Sequence, residues 1–218
     1  MISVLLWVIA TTAIISFIAF NNQSIFEKYK FNVGAIRHNK EYIRLLSAGF
    51  LHADMMHLFF NMLTLYFFGP IVIQAFGDIA FLIVYFGSVL LGNLFSLYLY
   101  KNQGWYSAIG ASGGVAGILF AAIAVYPQIK IYFFFIPIPI PGYIFGALYF
   151  GYSVYMMLNP RQHDNIGHAA HLGGAAFGLA YSVLTVPAAA VTNAVYLGIM
   201  SLPLLYMAYQ VFIRKRLL

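Results

Sequence analysis

The sequence predicts an all-α integral membrane protein whose helices cross the bilayer several times. Of its 218 residues, 63% are hydrophobic and 7% are charged, against about 25% charged residues in an average soluble domain. Backbone polar groups in lipid need internal partners, so a spanning domain is either a helical bundle or a closed β-barrel. The apolar runs are long and do not alternate with polar residues as barrel strands do, which favours helices. We therefore expect a single membrane domain over residues 1–218.

Cysteine is absent from the sequence, so disulfide bonds and thiolate metal sites are excluded. The net charge of +6 arises from Lys and Arg residues scattered near the apparent helix ends. Because no basic stripe with interleaved aromatic residues is present, we expect these charges to contact membrane lipids and not nucleic acid. The N-terminal apolar run lacks a basic leader and a small-residue cleavage site, so we expect it to be a retained helix.

Six core spans and one additional C-terminal span are expected, because a helix needs about 20 apolar residues to cross the bilayer. Polar residues, glycine or proline end each of them. In chain order, the predicted spans are about 3–20, 55–75, 79–100, 112–126, 142–158, 166–186 and 191–213. The fourth has only about 15 residues, so we expect its N-terminus to lie below the membrane surface.

Two connecting segments are predicted to have structure of their own. Residues 21–54 mix Lys and Arg with aromatic residues, which is typical of a segment that lies in the membrane interface. Residues 131–141 carry proline at positions 137, 139 and 141. Proline lacks a backbone donor and favours extended geometry, so this second segment is predicted to be extended or interfacial.

The glycine-rich stretch over residues 110–117 places one hydroxyl, that of Ser112, at the start of the fourth span. A Gly-x-Ser-Gly pattern lets a substrate carbonyl approach a serine at a helix start, where free N–H groups favour developing negative charge. The same residues form two small-xxx-small pairs, Gly110/Gly114 and Gly113/Gly117, which are typical of helix packing in lipid. Taken alone, the stretch favours packing over catalysis.

His57 and Asn61 lie at the start of the second span, where polar side chains are costly. Because they are four residues apart, they share one helix face. Both are neutral donors, as an oxyanion hole requires, and such a donor contributes roughly 2.7–4 kcal/mol to catalysis. The alternative is a pair of interhelical hydrogen bonds of about 0.6–2 kcal/mol, and for these two residues alone we favour it.

His171 lies near the start of the sixth span, ahead of a row of small residues at 174, 178 and 182. This row can pack closely against Gly113 and Gly117, which would bring an imidazole toward the Ser112 hydroxyl. A serine is a weak nucleophile until a base accepts its proton, and an unperturbed imidazole with a pKa near 6.5 is neutral at pH 7.

His168 is an alternative base, and His-x-x-His is also compatible with a metal site. We disfavour the metal, because zinc would need a further ligand and the only nearby carboxylate, Asp164, is predicted to lie in a loop. All five acidic residues are expected in loops or at span ends, since an ionised acid at mid-membrane costs about 2.5 kcal/mol or more. The sequence therefore favours a serine–histidine dyad without an acid, for which we expect slow turnover.

These motifs, in this order, resemble the rhomboid family of intramembrane serine proteases. The resemblance covers about residues 40–186, and the run at about 191–213 is a seventh helix added to a rhomboid-like six-helix bundle. The matching residues are His52-xxxx-His57-xxx-Asn61, Gly110-x-Ser112-Gly113 and Ala170-His171-Leu-Gly-Gly174.

The resemblance implies that Ser112 is the nucleophile and His171 the base. It also implies an oxyanion hole formed by His57, Asn61 and the backbone N–H of Ser112, with that of Gly110 as a further donor.

Three other positions acquire meaning only through the resemblance. His52 is implied to be a supporting hydrogen-bonding residue near a water-filled pocket. Arg44 matches the arginine of a Trp-Arg pair in the first loop of the family, although the tryptophan position holds Ile43 here. Some rhomboids place a tyrosine four residues after the serine, stacked on the catalytic histidine, and this position holds Ala116 here.

The resemblance implies an intramembrane serine endopeptidase that cleaves transmembrane protein substrates near the membrane surface. It implies lateral substrate access between spans two and five, no cofactor, and a bacterial inner or plasma membrane. The alternative is a non-catalytic rhomboid-like protein that binds membrane clients, and a third hypothesis is a transporter or channel that uses its histidines. The distribution of Lys and Arg would place the first loop in the cytoplasm, whereas the family's usual arrangement places it outside.

Overall fold

A computed structural model of the chain describes residues 3–133, 136–161, 164 and 166–216. Its helices and strands are, in order, α1 Ser3–Phe20, α2 Gln23–Tyr29, β1 Phe31–Asn32, α3 Val33–Asn39, α4 Arg44–Ser47, a 3₁₀ helix Ala48–Phe50, α5 Met55–Phe76, α6 Asp78–Leu99, β2 Ser107–Ala108, α7 Ser112–Val125, β3 Lys130–Phe133, β4 Ile136–Pro141, α8 Gly142–Leu158, α9 His168–Thr185, α10 Pro187–Thr192, α11 Ala194–Ala208 and a π-helical turn Tyr209–Ile213.

A helix lies at each of the seven predicted spans, close to the predicted bounds. Three helical segments are long and apolar enough to cross a membrane by length and composition, namely α5, α6 and Ala194–Ile213. The chain is therefore an all-α, multi-pass integral membrane protein. The seventh predicted span, 191–213, differs in detail, because α10 ends at Thr192 and α11 begins at Ala194. The side chain of the intervening Asn193 donates to the carbonyls of Ala124 and Val125, at 3.2 and 3.0 Å.

Both segments expected to be structured are confirmed as such. Residues 21–54 contain three short α-helices, a 3₁₀ helix and the strand β1, which pairs antiparallel with β2. In the second segment, the described residues 131–133 and 136–141 are extended, since β3 and β4 pair antiparallel.

Arg44 joins the parts of the first loop. Its side chain is only 10% exposed and donates to the Glu41 carboxylate at 2.6 Å and to the carbonyls of Glu27 and Lys30 at 2.8 Å. These bonds lie within the loop, between the ends of α2 and α4, and the supporting role that the resemblance implies for Arg44 stays a prediction.

Three helices at the centre, α6, α7 and α9, approach one another through glycines. A methyl group added at Gly174 would overlap the carbonyl of Gly113, and one added at Gly178 would overlap that of Gly117. Nearer the start of α9, the Ala170 carbonyl lies where a side chain of Gly92 would be. The predicted packing of α9 on α7 is therefore confirmed, and residues 113–124 of α7 are buried.

Helix α8 packs mainly against α11. Met200 of α11 occupies the space beside Gly146, which no larger residue could share without displacement. Near the far end of α8, the Arg216 guanidinium donates to the Leu158 carbonyl at 3.1 Å and to the Asn159 side-chain oxygen at 3.0 Å. The seventh helix and the residues that follow it thus contact α8 near its N-terminus and at its C-terminus.

Glycine at the α7–α9 contact is expected to be essential for stability. Gly178→Ala should lower the free energy of unfolding by about 1–3 kcal/mol, as overpacking typically does, because the new methyl group would meet the backbone of α7. The measurement is thermal unfolding in detergent micelles. The matched control is Gly151→Ala, also in a helix interior but with no atom within 4 Å of the added methyl group. Equal unfolding midpoints for the two variants would contradict the conclusion that the α7–α9 contact requires glycine.

Candidate active site

Ser112 and His171 come into direct contact at the start of their helices. Ser112 is the first residue of α7 and His171 lies one turn into α9. The distance from Ser112 Oγ to His171 Nε2 is 2.6 Å. This contact follows from the glycine packing described above, because Gly113 and Gly174 lie one and three residues beyond the two side chains. The hydroxyl can donate only if Nε2 is unprotonated, so the neutral imidazole carries its proton on Nδ1.

The alternative base, His168, points to a different partner. Its Nε2 lies 3.0 Å from the Asp164 carboxylate, so the structure pairs His168 with Asp164 and His171 with Ser112. In the described part of the chain, no residue forms a hydrogen bond with His171 Nδ1. The same described residues contain no group of three His, Cys, Asp or Glu side chains suited to a metal ion.

His57 can present an N–H group to the space beside Ser112. Its Nδ1 accepts from the backbone N–H of Ala53 at 3.4 Å, so in the neutral ring the proton lies on Nε2. That Nε2 would be 2.9 Å from a side-chain carbon added at Gly110, and Ser112 Oγ would be 3.5 Å from the same point. A small group placed there would therefore lie between the nucleophile and a neutral donor.

Asn61 completes this side of the site. One hydrogen of its side-chain amide goes to the His57 carbonyl at 2.9 Å. An amide has two such hydrogens, so the second can serve a ligand. Asn61, Ser112 and Tyr149 line a cavity of about 380 Å³ bordered by α5, α7, α8 and β3.

Gly110 provides space beside Ser112, but the expectation that its backbone N–H is a donor of the oxyanion hole is wrong. Its backbone has φ of +120°, and a side chain there would lie 2.8 Å from the His57 ring, so glycine is required for both reasons. Its N–H, however, donates to the Ala48 carbonyl at 3.0 Å. That donor is engaged, so it is not available for an oxyanion. The N–H of Ser112 lies in the first turn of α7, where helical N–H groups have no partner within the helix.

Comparison with known proteins identifies the family of the chain. The family described as Rhomboid domain matches residues 39–188, well over half of the chain. The chain belongs to the rhomboid family.

Three relatives illustrate the range of rhomboids that this chain resembles. RHOMBOID-like protein 12, mitochondrial, of Arabidopsis thaliana is 29% identical over 72% of this chain and 50% of its own length. Rhomboid protein 1, mitochondrial, of Saccharomyces cerevisiae is 29% identical over 64% of this chain and 40% of its own length. Inactive RHOMBOID-like protein 8 of Arabidopsis thaliana is 33% identical over 41% of this chain and 26% of its own length. The chain therefore spans half or less of the length of these relatives.

Two residues near the site of this rhomboid escaped the sequence analysis, and the first is Ser16 of α1. Its hydroxyl donates to the Phe50 carbonyl at 2.8 Å and lies 2.8 Å from His52 Nδ1. Because the hydroxyl has one hydrogen, it must accept from His52 Nδ1–H, which leaves Nε2 to accept from the N–H of Ala111 at 3.4 Å. His52 thus links α1 to the residue before Ser112, and no sequence signal separates Ser16 from any other small residue in an apolar helix.

The second missed residue is Tyr149 of α8. Its ring lies nearly parallel to that of His171, at an interplanar angle of 26° and a centroid distance of 6.4 Å. Ala116, which occupies the position of the tyrosine found in some rhomboids, has no ring to offer. The sequence does not single out Tyr149, because aromatic residues are common in the helices of this chain.

Burial keeps His52 neutral. The residue lies between the 3₁₀ helix and α5, outside the spanning helices, and is fully buried. Desolvation is the main reason that its pKa falls to about 3, with a smaller contribution from the neighbouring His57. A neutral ring is what the two hydrogen bonds of His52 require, since one nitrogen donates and the other accepts.

Removing the Ser16 hydroxyl should leave His52 Nδ1–H without an acceptor. We expect Ser16→Ala to lower the free energy of unfolding by about 1–3 kcal/mol, the usual penalty for an unsatisfied buried donor. Thr11→Ala on the same helix, where the side chain is exposed, is the control for loss of a hydroxyl. If the two substitutions proved equally mild in detergent unfolding, His52 would have another acceptor.

The low pKa of His52 predicts an acid-sensitive fold. Because the folded-state pKa of about 3 lies below the ordinary value of 6.5, the unfolded chain binds a proton that the folded chain excludes between these values. Stability is therefore full above about pH 6.5 and decreases toward pH 3, by up to about 1.4 kcal/mol per pH unit for this one group.

The measurement is the unfolding free energy in detergent between pH 7.5 and 4.5. His52→Gln should show a shallower decrease than the wild type, whereas His38→Gln, at an exposed position, should follow the wild type. Parallel curves for His52→Gln and the wild type would exclude His52 as a source of acid sensitivity.

Proposed function

We propose that the chain is an intramembrane serine endopeptidase that cleaves transmembrane protein substrates near the membrane surface, with Ser112 as nucleophile and His171 as base. The observation that supports it best is the 2.6 Å hydrogen bond between Ser112 Oγ and His171 Nε2, within a site that also offers neutral donors. Membership of the rhomboid family, which includes proteases, supports the same reaction class.

The chemistry would proceed through an acyl-enzyme. Ser112 Oγ attacks the scissile carbonyl carbon while its proton passes to His171 Nε2. The carbonyl oxygen becomes negative and accepts from the Ser112 N–H, His57 Nε2–H and the free amide hydrogen of Asn61. When the C–N bond breaks, the imidazolium returns the proton to the leaving amine. Water then attacks the ester, His171 accepts its proton and returns it to Ser112, and the new carboxylic acid leaves.

The lack of an acid beside His171 has a kinetic consequence. An imidazolium without a carboxylate partner is stabilised less in the transition state than in a full triad. Since Asp164 is bonded to His168, it does not serve His171 in that role. Slow turnover therefore remains the expectation.

The alternative function is non-catalytic binding of membrane clients. It is favoured by one matched relative that is named inactive. Against it, this chain holds both the serine and the histidine, bonded to each other. The expected bacterial plasma membrane likewise stays a prediction, because two of the matched relatives are mitochondrial by name.

Substitution of either member of the dyad should abolish cleavage. Ser112→Ala and His171→Ala are expected to reduce the cleavage rate of a fluorogenic transmembrane substrate at least about 1,000-fold, as loss of a nucleophile or base does in serine hydrolases. Only the wild type should be labelled rapidly at Ser112 by a fluorophosphonate.

Ser201→Ala on α11 and His38→Gln in the first loop serve as the matched controls and should retain activity. Cleavage of the substrate by Ser112→Ala at the rate of the wild type would refute the proposal. Absence of cleavage and of labelling in the wild type, together with retained capture of the substrate, would instead support client binding.

A further inference from the structure

We propose that Tyr149 of α8 is a positioning residue for His171, and that it couples occupancy of the cavity to the orientation of the base. The inference rests on the proposed function. Tyr149 acts through His171, so it is not itself a catalytic residue.

The first observation is the nearly parallel arrangement of the two rings, with centroids 6.4 Å apart. Aromatic rings attract at centroid separations of about 4.5–7 Å. Among the described residues, His171 is hydrogen-bonded only at Nε2, so a rotation of its ring about that contact is opposed by packing alone. Tyr149 supplies a flat surface that opposes it.

The second observation is that Tyr149 is itself held in place. Its ring packs against Phe120 at 5.4 Å and Phe145 at 5.8 Å between centroids. Phe120 is fully buried and stacks on Phe150 at 4.1 Å. A ring anchored on both α7 and α8 can fix the orientation of a third group.

The third observation is that Tyr149 lines the same cavity as Ser112 and Asn61. A substrate segment that fills this cavity would contact the face of the site formed by α8, and thus the ring that orients the base. In the position one turn below Ser112 on α7, Ala116 lines the cavity without reaching His171. The orienting ring is therefore carried by a helix that lines the cavity and not by the helix of the nucleophile.

The alternative is a purely structural role, in which Tyr149 only fills space between α7 and α8. Four variants separate the two roles: Tyr149→Phe keeps the ring, Tyr149→Leu and Tyr149→Met remove it, and Tyr132→Leu removes a different ring from the wall of the same cavity. Methionine adapts to irregular space, so it remains informative if the leucine variant is unstable. Each variant is compared at equal folded fraction, determined by thermal unfolding.

The readouts are kcat and KM for a transmembrane substrate and the fluorophosphonate labelling rate of Ser112. Loss of the ring should lower kcat and the labelling rate together by about three- to tenfold, the effect of one aromatic pair, with KM within twofold. Tyr149→Phe should stay within twofold of the wild type in both. Tyr132→Leu should change KM and leave labelling unchanged.

Wild-type kcat and labelling in Tyr149→Leu and Tyr149→Met would overturn the proposal, as would an equal loss in Tyr149→Phe. This failure is distinct from failure of the protease assignment, which would appear as undiminished cleavage by Ser112→Ala. If Ser112→Ala is inactive while Tyr149→Leu and Tyr149→Met have wild-type activity, the result supports the catalytic dyad and excludes the positioning role of Tyr149.

Discussion

The structure depends on the close backbone approach of α7 and α9, which glycine alone permits. At Gly113–Gly174 and Gly117–Gly178 the backbone of one helix occupies the space where a side chain of the other would lie. In lipid, where apolar side chains gain little from contact with one another, such packing is a principal source of helix association. It also sets the distance between Ser112 and His171, so the same contact that stabilises the bundle forms the candidate site.

Features that follow from local pattern could be predicted from the sequence. The seven helices follow from apolar length, and the α7–α9 seam follows from small residues four apart. Features that depend on a single contact between distant parts of the chain could not be predicted from the sequence. The Gly110 N–H donates to the Ala48 carbonyl, and Ser16 is hydrogen-bonded to His52, 36 residues further along the chain. The residues around these positions carry no sequence pattern that predicts either bond. Tyr149 was hidden for a related reason, because 18% of the residues are aromatic and most of these rings only pack.

Hydrogen bonds to His52 and His57 fix which ring nitrogen of each neutral imidazole carries the proton. Ser16 accepts from His52, His52 accepts from Ala111, and Ala53 donates to His57. Each bond assigns one tautomer, so the neutral rings donate from His52 Nδ1 and His57 Nε2, and a formal charge within the spanning helices would be costly. A site of this kind can stabilise developing negative charge without holding permanent charge, and the missing acid beside His171 is consistent with the same constraint.

The contacts of α11 restrict how α8 can move. Met200 of α11 fits beside Gly146, and Arg216, which follows that helix, donates to the last carbonyl of α8, so the two helices are joined at two places. A wider gap between α5 and α8 would require either that this helix pair tilt together or that the guanidinium release its carbonyl. Any widening of that gap would therefore involve the C-terminal helix as well as α8.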